Sequence, residues 1–259
     1  GSDADDYSLV VTRDAVFGGA RNDSANQAQD ITDSPNAFGY VTEAGMGRLF
    51  AADDYDDEIR EISLATGKII NTVDIPFAIG NYTNVGLATT PTSLLISPAS
   101  SNAILELDPD TGETIRAIGD SSLYAHSLAF LNDEIFTLTQ HNDYPGRITV
   151  LDYVTGEVKR VLGATINSDL GYSLISTGTR LLGASYGPET RLIEIDPETG
   201  RTEELGVLDM ENAWSLAAFG DELYAIAGGS GTVMIYDLNT LRPKPSFILS
   251  TTVRIRGAG

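Results

Sequence analysis

Between Ala51 and Glu58 five carboxylates crowd into six residues: Asp53, Asp54, Asp56, Asp57 and Glu58. Like charges at that density repel, and a hard cation relieves the repulsion through oxygen ligands alone, which suits Ca2+. The string lacks the spacing of an EF-hand and its glycine, so a solvated acidic loop and a Ca2+ site are both open readings. A second pair, His141 and Asp143, lies in the stretch Gln140–Arg147. Such a pair can ligate a metal or exchange protons, although Tyr144-Pro145-Gly146 beside it reads more simply as a polar turn. His126 is the only other histidine. There is no cysteine and no G-x-S-x-G elbow to carry a nucleophile. Gly228-Gly229-Ser230-Gly231 joins two strand-like runs and leads into no helix, which argues against a nucleotide phosphate there.

What positions these residues is a repeat. Thr-Gly pairs fall at Thr66-Gly67, Thr111-Gly112, Thr155-Gly156 and Thr199-Gly200, with a degenerate fifth at Thr240-Leu241, so the threonines stand 45, 44, 44 and 41 residues apart. A second landmark keeps the same beat: Phe38-Gly39-Tyr40, Val85-Gly86-Leu87, His126-Ser127-Leu128, Tyr172-Ser173-Leu174 and Trp214-Ser215-Leu216. Each unit resolves into four short alternating runs bounded by turn residues; in the third they are Ser127–Phe130, Glu134–Thr139, Arg147–Asp152 and Val158–Leu162. Four strands at this period mark a β-propeller blade. The class expected is therefore all-β, with four-stranded antiparallel blades in a single domain over 1–259.

Five clear repeats span 36–250. The segments 1–35 and 251–259 sum to about one further unit, and both Tyr7–Thr12 and Thr251–Ile255 read as strands. The expectation is six blades, the last a composite of both chain ends that removes exposed sheet edges; five blades is the alternative.

The recurring Asp-Pro-Asp-Thr-Gly, as at Asp108–Gly112, invites a metal reading but has a simpler one. An Asp side chain accepts hydrogen bonds from backbone N–H groups two residues on, and Gly supplies a positive φ where the hairpin closes. Attention passes to the opposite end of each blade, where the inner strand begins and the loop between the second and third strands opens. There the column Phe38, Val85, His126, Tyr172, Trp214 is aromatic at four of five positions and includes the only Trp. Phe38, His126, Tyr172 and Trp214, with Tyr124 and Asn212 beside them, are the expected ligand-binding set at the channel mouth; Asn84 and Asp169 are further polar neighbours. The Asp53–Glu58 loop falls on the same face.

Composition limits the partners. The formal net charge is -21, from 37 acidic and 16 basic residues, only three of them lysine. Such a surface repels nucleic acid and anionic membrane. There is no run of 18 apolar residues to span a bilayer.

The strand ending in Ile195-Asp196-Pro197-Glu198-Thr199-Gly200 resembles the extracellular bacterial propellers of the YVTN and quinoprotein-like group. It departs from the WD-repeat family, since no Gly-His and Trp-Asp pair recurs. That group holds surface proteins, ligand-binding scaffolds and some enzymes, so the resemblance implies architecture and no single activity. The segment Asp6-Tyr7-Ser8-Leu9-Val10-Val11-Thr12-Arg13, with Asn22-Asp23-Ser24 and Ala28-Gln29 after it, resembles junctions between β-domains of very large secreted bacterial proteins. It implies one module of a longer exported chain. The function expected is a non-catalytic interaction or scaffold module, extracellular or at the cell surface. It would be monomeric as an isolated module, need no cofactor unless the acidic loop takes Ca2+, and bind a protein or glycan at the channel mouth. The alternative is a secreted lyase or hydrolase working around His126.

Overall fold

The computed structural model describes residues 16–18, 37–39, 48–53, 56–64, 66–75, 77–79, 85–98, 103–119, 125–141, 144–162, 170–185, 189–210, 213–227, 232–248 and 255–258; at 16–18, 37–39, 139–141, 144–146, 170–172, 214 and 255–258 the description is of the backbone. The chain divides into two units, Gly1–Met46 and Gly47–Gly259. In the first, β1 (Val16–Gly18) pairs in parallel with β2 (Ala37–Gly39).

The second unit is a ring of four-stranded antiparallel sheets. Blade I contains β3 (Arg48–Asp53), β4 (Glu58–Ser63) and β5 (Ile69–Asp74). Blade II runs through β6 (Gly86–Thr89), β7 (Leu94–Ser97), β8 (Ile104–Leu107) and β9 (Thr114–Ile118). Blade III has β10 (Ala125–Leu131), β11 (Glu134–His141), β12 (Tyr144–Asp152) and β13 (Val158–Val161). Blade IV has β14 (Leu170–Ser176), β15 (Leu181–Ser185), β16 (Thr190–Ile195) and β17 (Thr202–Leu208). Blade V has β18 (Ala213–Phe219), β19 (Glu222–Ala227), β20 (Thr232–Asp237) and β21 (Pro243–Ile248). The fourth strand of blade I comes from the far end of the sequence: β22 (Ile255–Ala258) pairs antiparallel with β3 and is its innermost strand. The inner strands contact one another in the closed order β22, β6, β10, β14, β18.

There are thus five blades, and the expected six are corrected. The composite blade exists, but β22 completes the first repeat rather than building a sixth unit. Phe38 and Gly39, which the repeat placed on the inner strand of that first unit, do not lie there; Tyr40 lies outside the described residues. Among the described residues Ala37–Gly39 pair with β1 instead. Tyr7–Thr12 lies outside the described residues.

No single central core holds the ring. Five apolar clusters each bridge two neighbouring blades. Alternation along one strand therefore feeds two interfaces. In β3, Leu49 and Ala51 pack towards blade V, whereas Phe50 and Ala52 pack towards blade II. Both faces are covered, so β3, β7 and β15 read as nearly continuous buried runs.

The Asp-to-Gly turns behave as the sequence suggests. Asp108 Oδ1 accepts the N–H groups of Asp110 and Thr111, both at 2.9 Å, and Gly112 N–H donates to the Asp108 carbonyl at 2.9 Å. Asp152 with Gly156 and Asp196 with Gly200 repeat the pattern. The backbone amides hold these three carboxyls below the usual range. The glycines have φ between 66° and 74°.

Candidate site at the bulged end of the ring

Antiparallel pairing fixes which residues share one end of a blade. The Thr-Gly turns, between third and fourth strands, lie at one end; the starts of the inner strands and the loops between second and third strands lie at the other. At this second end the inner strands are irregular. The register shifts between Ala125 and Ser127 in β10, between Leu170 and Ser173 in β14, between Ala213 and Ser215 in β18, and between Ile255 and Gly257 in β22. A bulge inserts residues outside the ladder register. The residues so inserted are His126, Gly171 with Tyr172, Trp214 and Arg256.

In β10 and β14 the next residue, a serine, ties the bulge to the following blade. Ser127 Oγ accepts the N–H of Leu174, in the following blade, at 2.6 Å, and Ser173 Oγ accepts that of Leu216 at 3.0 Å. Blade II carries Gly86 here. A Cβ at Gly86 would lie 2.7 Å from Leu128 Cγ and 2.8 Å from Ser97 Oγ. Ser97 supplies the hydroxyl instead, accepting from Gly86 N–H at 3.0 Å and donating to the Ala125 carbonyl at 2.6 Å.

The structure sorts the expected binding residues. His126, Tyr172 and Trp214 occupy equivalent bulge positions in blades III, IV and V. His126 is half-buried, and desolvation lowers its pKa. Phe38 leaves the column, since β2 belongs to the Gly1–Met46 unit. Val85 is buried in the core between blades I and II. Tyr124, Asn212, Asn84 and Asp169 lie outside the described residues. Arg256 takes the place expected for Phe38, and sequence reasoning missed it. A signal was available: Arg256-Gly257-Ala258 matches Val85-Gly86-Leu87 as a residue, a glycine and an apolar residue.

The acidic loop lies at this end, in blade I. Ile255 and Glu58 both pair with Asp53, so the loop flanks the bulge at Arg256. Three of its carboxylates converge on Arg60. The guanidinium lies 2.9 Å from Asp53 Oδ2 and 3.3 Å from Glu58 Oε2, and it also pairs with Asp56. Asp57, at φ 57°, accepts the N–H of Ile79 at 2.8 Å and so ties the loop to the interface with blade II. Asp54 lies outside the described residues. Arg60 thus supplies within the chain the counter-charge for which the sequence suggested Ca2+. Among the described residues no group of three or more His, Asp or Glu side chains is arranged to hold a metal.

Much of the stretch Gln140–Arg147, expected as a polar turn, is strand. β11 and β12 stay paired through Gln140 with Pro145 and His141 with Tyr144, so the hairpin extends further at this end than its counterparts. Asn142 and Asp143 lie outside the described residues.

No family model and no curated protein matches the chain. Among solved structures 1133 chains match, a breadth that ties the likeness to architecture rather than to one activity. One chain of the crystal structure of the nidogen/laminin complex superposes with a TM-score of 0.57 at 14% identity, over 83% of this chain and 97% of that one. A chain of Kuenenia stuttgartiensis hydrazine synthase gives 0.46 at 14% identity, over 74% of this chain and 62% of that one, too loose a match to carry an inference. The first shows the propeller fold and nothing finer.

Proposed function

We propose that this chain is a non-catalytic binding module of a secreted or cell-surface protein, and that a protein or glycan partner docks at the bulged end of the ring. One observation carries the reading: four of the five inner strands break register at the same end, with one extra residue at His126, Trp214 and Arg256 and two at Gly171-Tyr172, which sets these residues at corresponding places around that end. Aromatic rings offer large contact area at low entropic cost, and planar polar groups beside them suit both sugar hydroxyls and peptide amides. The other end is committed to turn hydrogen bonds and blade-to-blade contacts. The nidogen/laminin structure is a protein complex; a protein partner for this chain is our inference from its own face.

Glycan and peptide arrays probed with the wild-type chain and with the double variant Tyr172→Ala/Trp214→Ala test this reading. Binding should be present in the first and lost in the second, with the fold unchanged by circular dichroism. Binding that survives both substitutions would contradict it. Turnover of a bound ligand, abolished by His126→Ala, would favour the enzymatic alternative.

A further inference from the structure

The outermost strand of each blade is an open edge, and each breaks register once against its neighbour. Charge and proline guard four of the five edges against an added strand. β9 carries Arg116, β13 carries Lys159 and Arg160, and β17 carries Glu203 and Glu204. β21 opens on Pro243, Lys244 and Pro245. β5 has neither a charge nor a proline between Ile69 and Val73. The difference has a cause inside the ring. In blades II and III the outer-strand arginine, held by a glutamate of its own blade, reaches the turn of the next: Arg116 donates to the Tyr153 and Val154 carbonyls at 2.8 and 2.7 Å, and Arg160 to the Pro197 carbonyl at 2.9 Å. In blade I that contact is made from β3, by Arg48 on Glu61, which reaches Asp110 at 2.8 Å. The outer-strand position opposite Glu61 is left to Asn71.

The unguarded edge is exposed. Ile70 is 55% exposed, and Asn71 and Thr72 beside it are exposed too. Lys68 and Asp74, both exposed, frame the uncharged run with one charge of each sign. An antiparallel pair of β5 strands, related by a two-fold axis at Asn71, sets Lys68 of each copy opposite Asp74 of the other, Ile69 opposite Val73 and Ile70 opposite Thr72. No other two-fold register along the strand matches the two charges.

We infer that the β5 edge is a homodimer interface, in place of the monomer expected for an isolated module, and that its partner is β5 of a second copy in this register. A free edge makes ladder bonds with an added strand, a two-fold contact closes on itself, and opposite charges directly across a strand pair attract. Two copies at net charge -21 repel one another in general; β5 is the edge at which they meet with their charges matched. Asn71 Oδ1 accepts the Thr72 N–H at 2.9 Å, an exposed local bond that an incoming carbonyl can replace. At Gly112 the turn of blade II closes on the Asp74 carbonyl, so the added ladder spans Ile69–Val73 and the charges meet through their side chains at its ends.

Sedimentation velocity over a concentration series reads the dimer. The wild-type chain should associate reversibly. Lys68→Asp and Asp74→Lys each set like charges across the interface twice, and each should weaken the dimer by at least about tenfold. The double variant Lys68→Asp/Asp74→Lys should restore it. The chain has no cysteine, so Asn71→Cys, which the axis sets beside its own copy, should oxidise to a cross-linked dimer faster than Thr114→Cys on β9. All four side chains are exposed, and circular dichroism checks that the fold is kept. A wild-type chain that stays monomeric up to millimolar concentration would overturn the inference. So would association indifferent to both single reversals or not regained in the double variant, and so would equal cross-linking of the two cysteine variants.

Discussion

A methyl group on Gly156 would lie 2.3 Å from the backbone nitrogen of Gly119, in the preceding blade, and one on Gly112 would lie 2.3 Å from the Asp74 carbonyl oxygen. Gly220 has a similar φ, 57°, but nothing within 4 Å of its missing Cβ. Gly220→Ala should therefore cost about 1–2 kcal/mol, from the left-handed backbone alone. Gly156→Ala should cost about 1–3 kcal/mol beyond that, because backbone must move to admit the methyl. Urea unfolding of the two variants separates the terms; equal losses would refute the close approach. The positive φ was legible in the sequence as turn chemistry. The approach of a neighbouring blade was not, because a repeat shows what recurs along the chain and not what faces it. A second residue-scale prediction concerns Glu134. The Arg160 guanidinium, reinforced by Lys159 and opposed by desolvation, holds its carboxyl at about 2 against an ordinary 4.5. A depressed carboxyl contributes stability that is present above the unfolded value and lost as pH falls through the folded one. The stability gap between wild type and Glu134→Gln should be constant above about pH 5 and shrink towards pH 2; a gap independent of pH would refute it.

At the scale of elements, β10, β14 and β18 are joined in turn by single hydroxyls, Ser127 and Ser173. Ser173→Ala leaves the buried N–H of Leu216 without its acceptor and should cost about 1–3 kcal/mol, measurable by chemical denaturation; no loss would mean that the bond contributes nothing net. Ser173 was visible from sequence as part of a landmark column, but its partner lies 43 residues away, so its purpose was not. The fifth turn shows a related trade. Leu241 stands at φ 53°, where the other turns have glycine. Its Cδ1 fills the space above Gly206, 2.8 Å from where a Cβ would be. What looked like a degenerate repeat is a side chain and a glycine exchanged between two blades. Gly206→Ala and Leu241→Gly should couple in a double-mutant cycle by at least about 0.5 kcal/mol; additivity would contradict the packing.

Across the whole molecule, period and strand boundaries were legible because each blade repeats the same turn chemistry; the runs expected at Ser127–Phe130 and Val158–Leu162 fall on β10 (Ala125–Leu131) and β13 (Val158–Val161). The blade count was not. Leftover residues at the two ends sum to one unit whether they build a blade or not, and only the pairing of β22 with β3 decides. The same pairing removes Phe38 from the expected site and brings in Arg256, so blade count and site composition are a single question. The central claim is that the bulged end of the ring is the working face. The chain holds one tryptophan, Trp214, at a bulge position of that face, so its emission reports on occupancy there. The decisive measurement is Trp214 fluorescence during titration with a ligand whose binding calorimetry has established. A saturable change that tracks the calorimetric isotherm and disappears with Tyr172→Ala is the result predicted; calorimetric saturation with unaltered Trp214 emission, undiminished by Tyr172→Ala, would place the ligand elsewhere and contradict the claim.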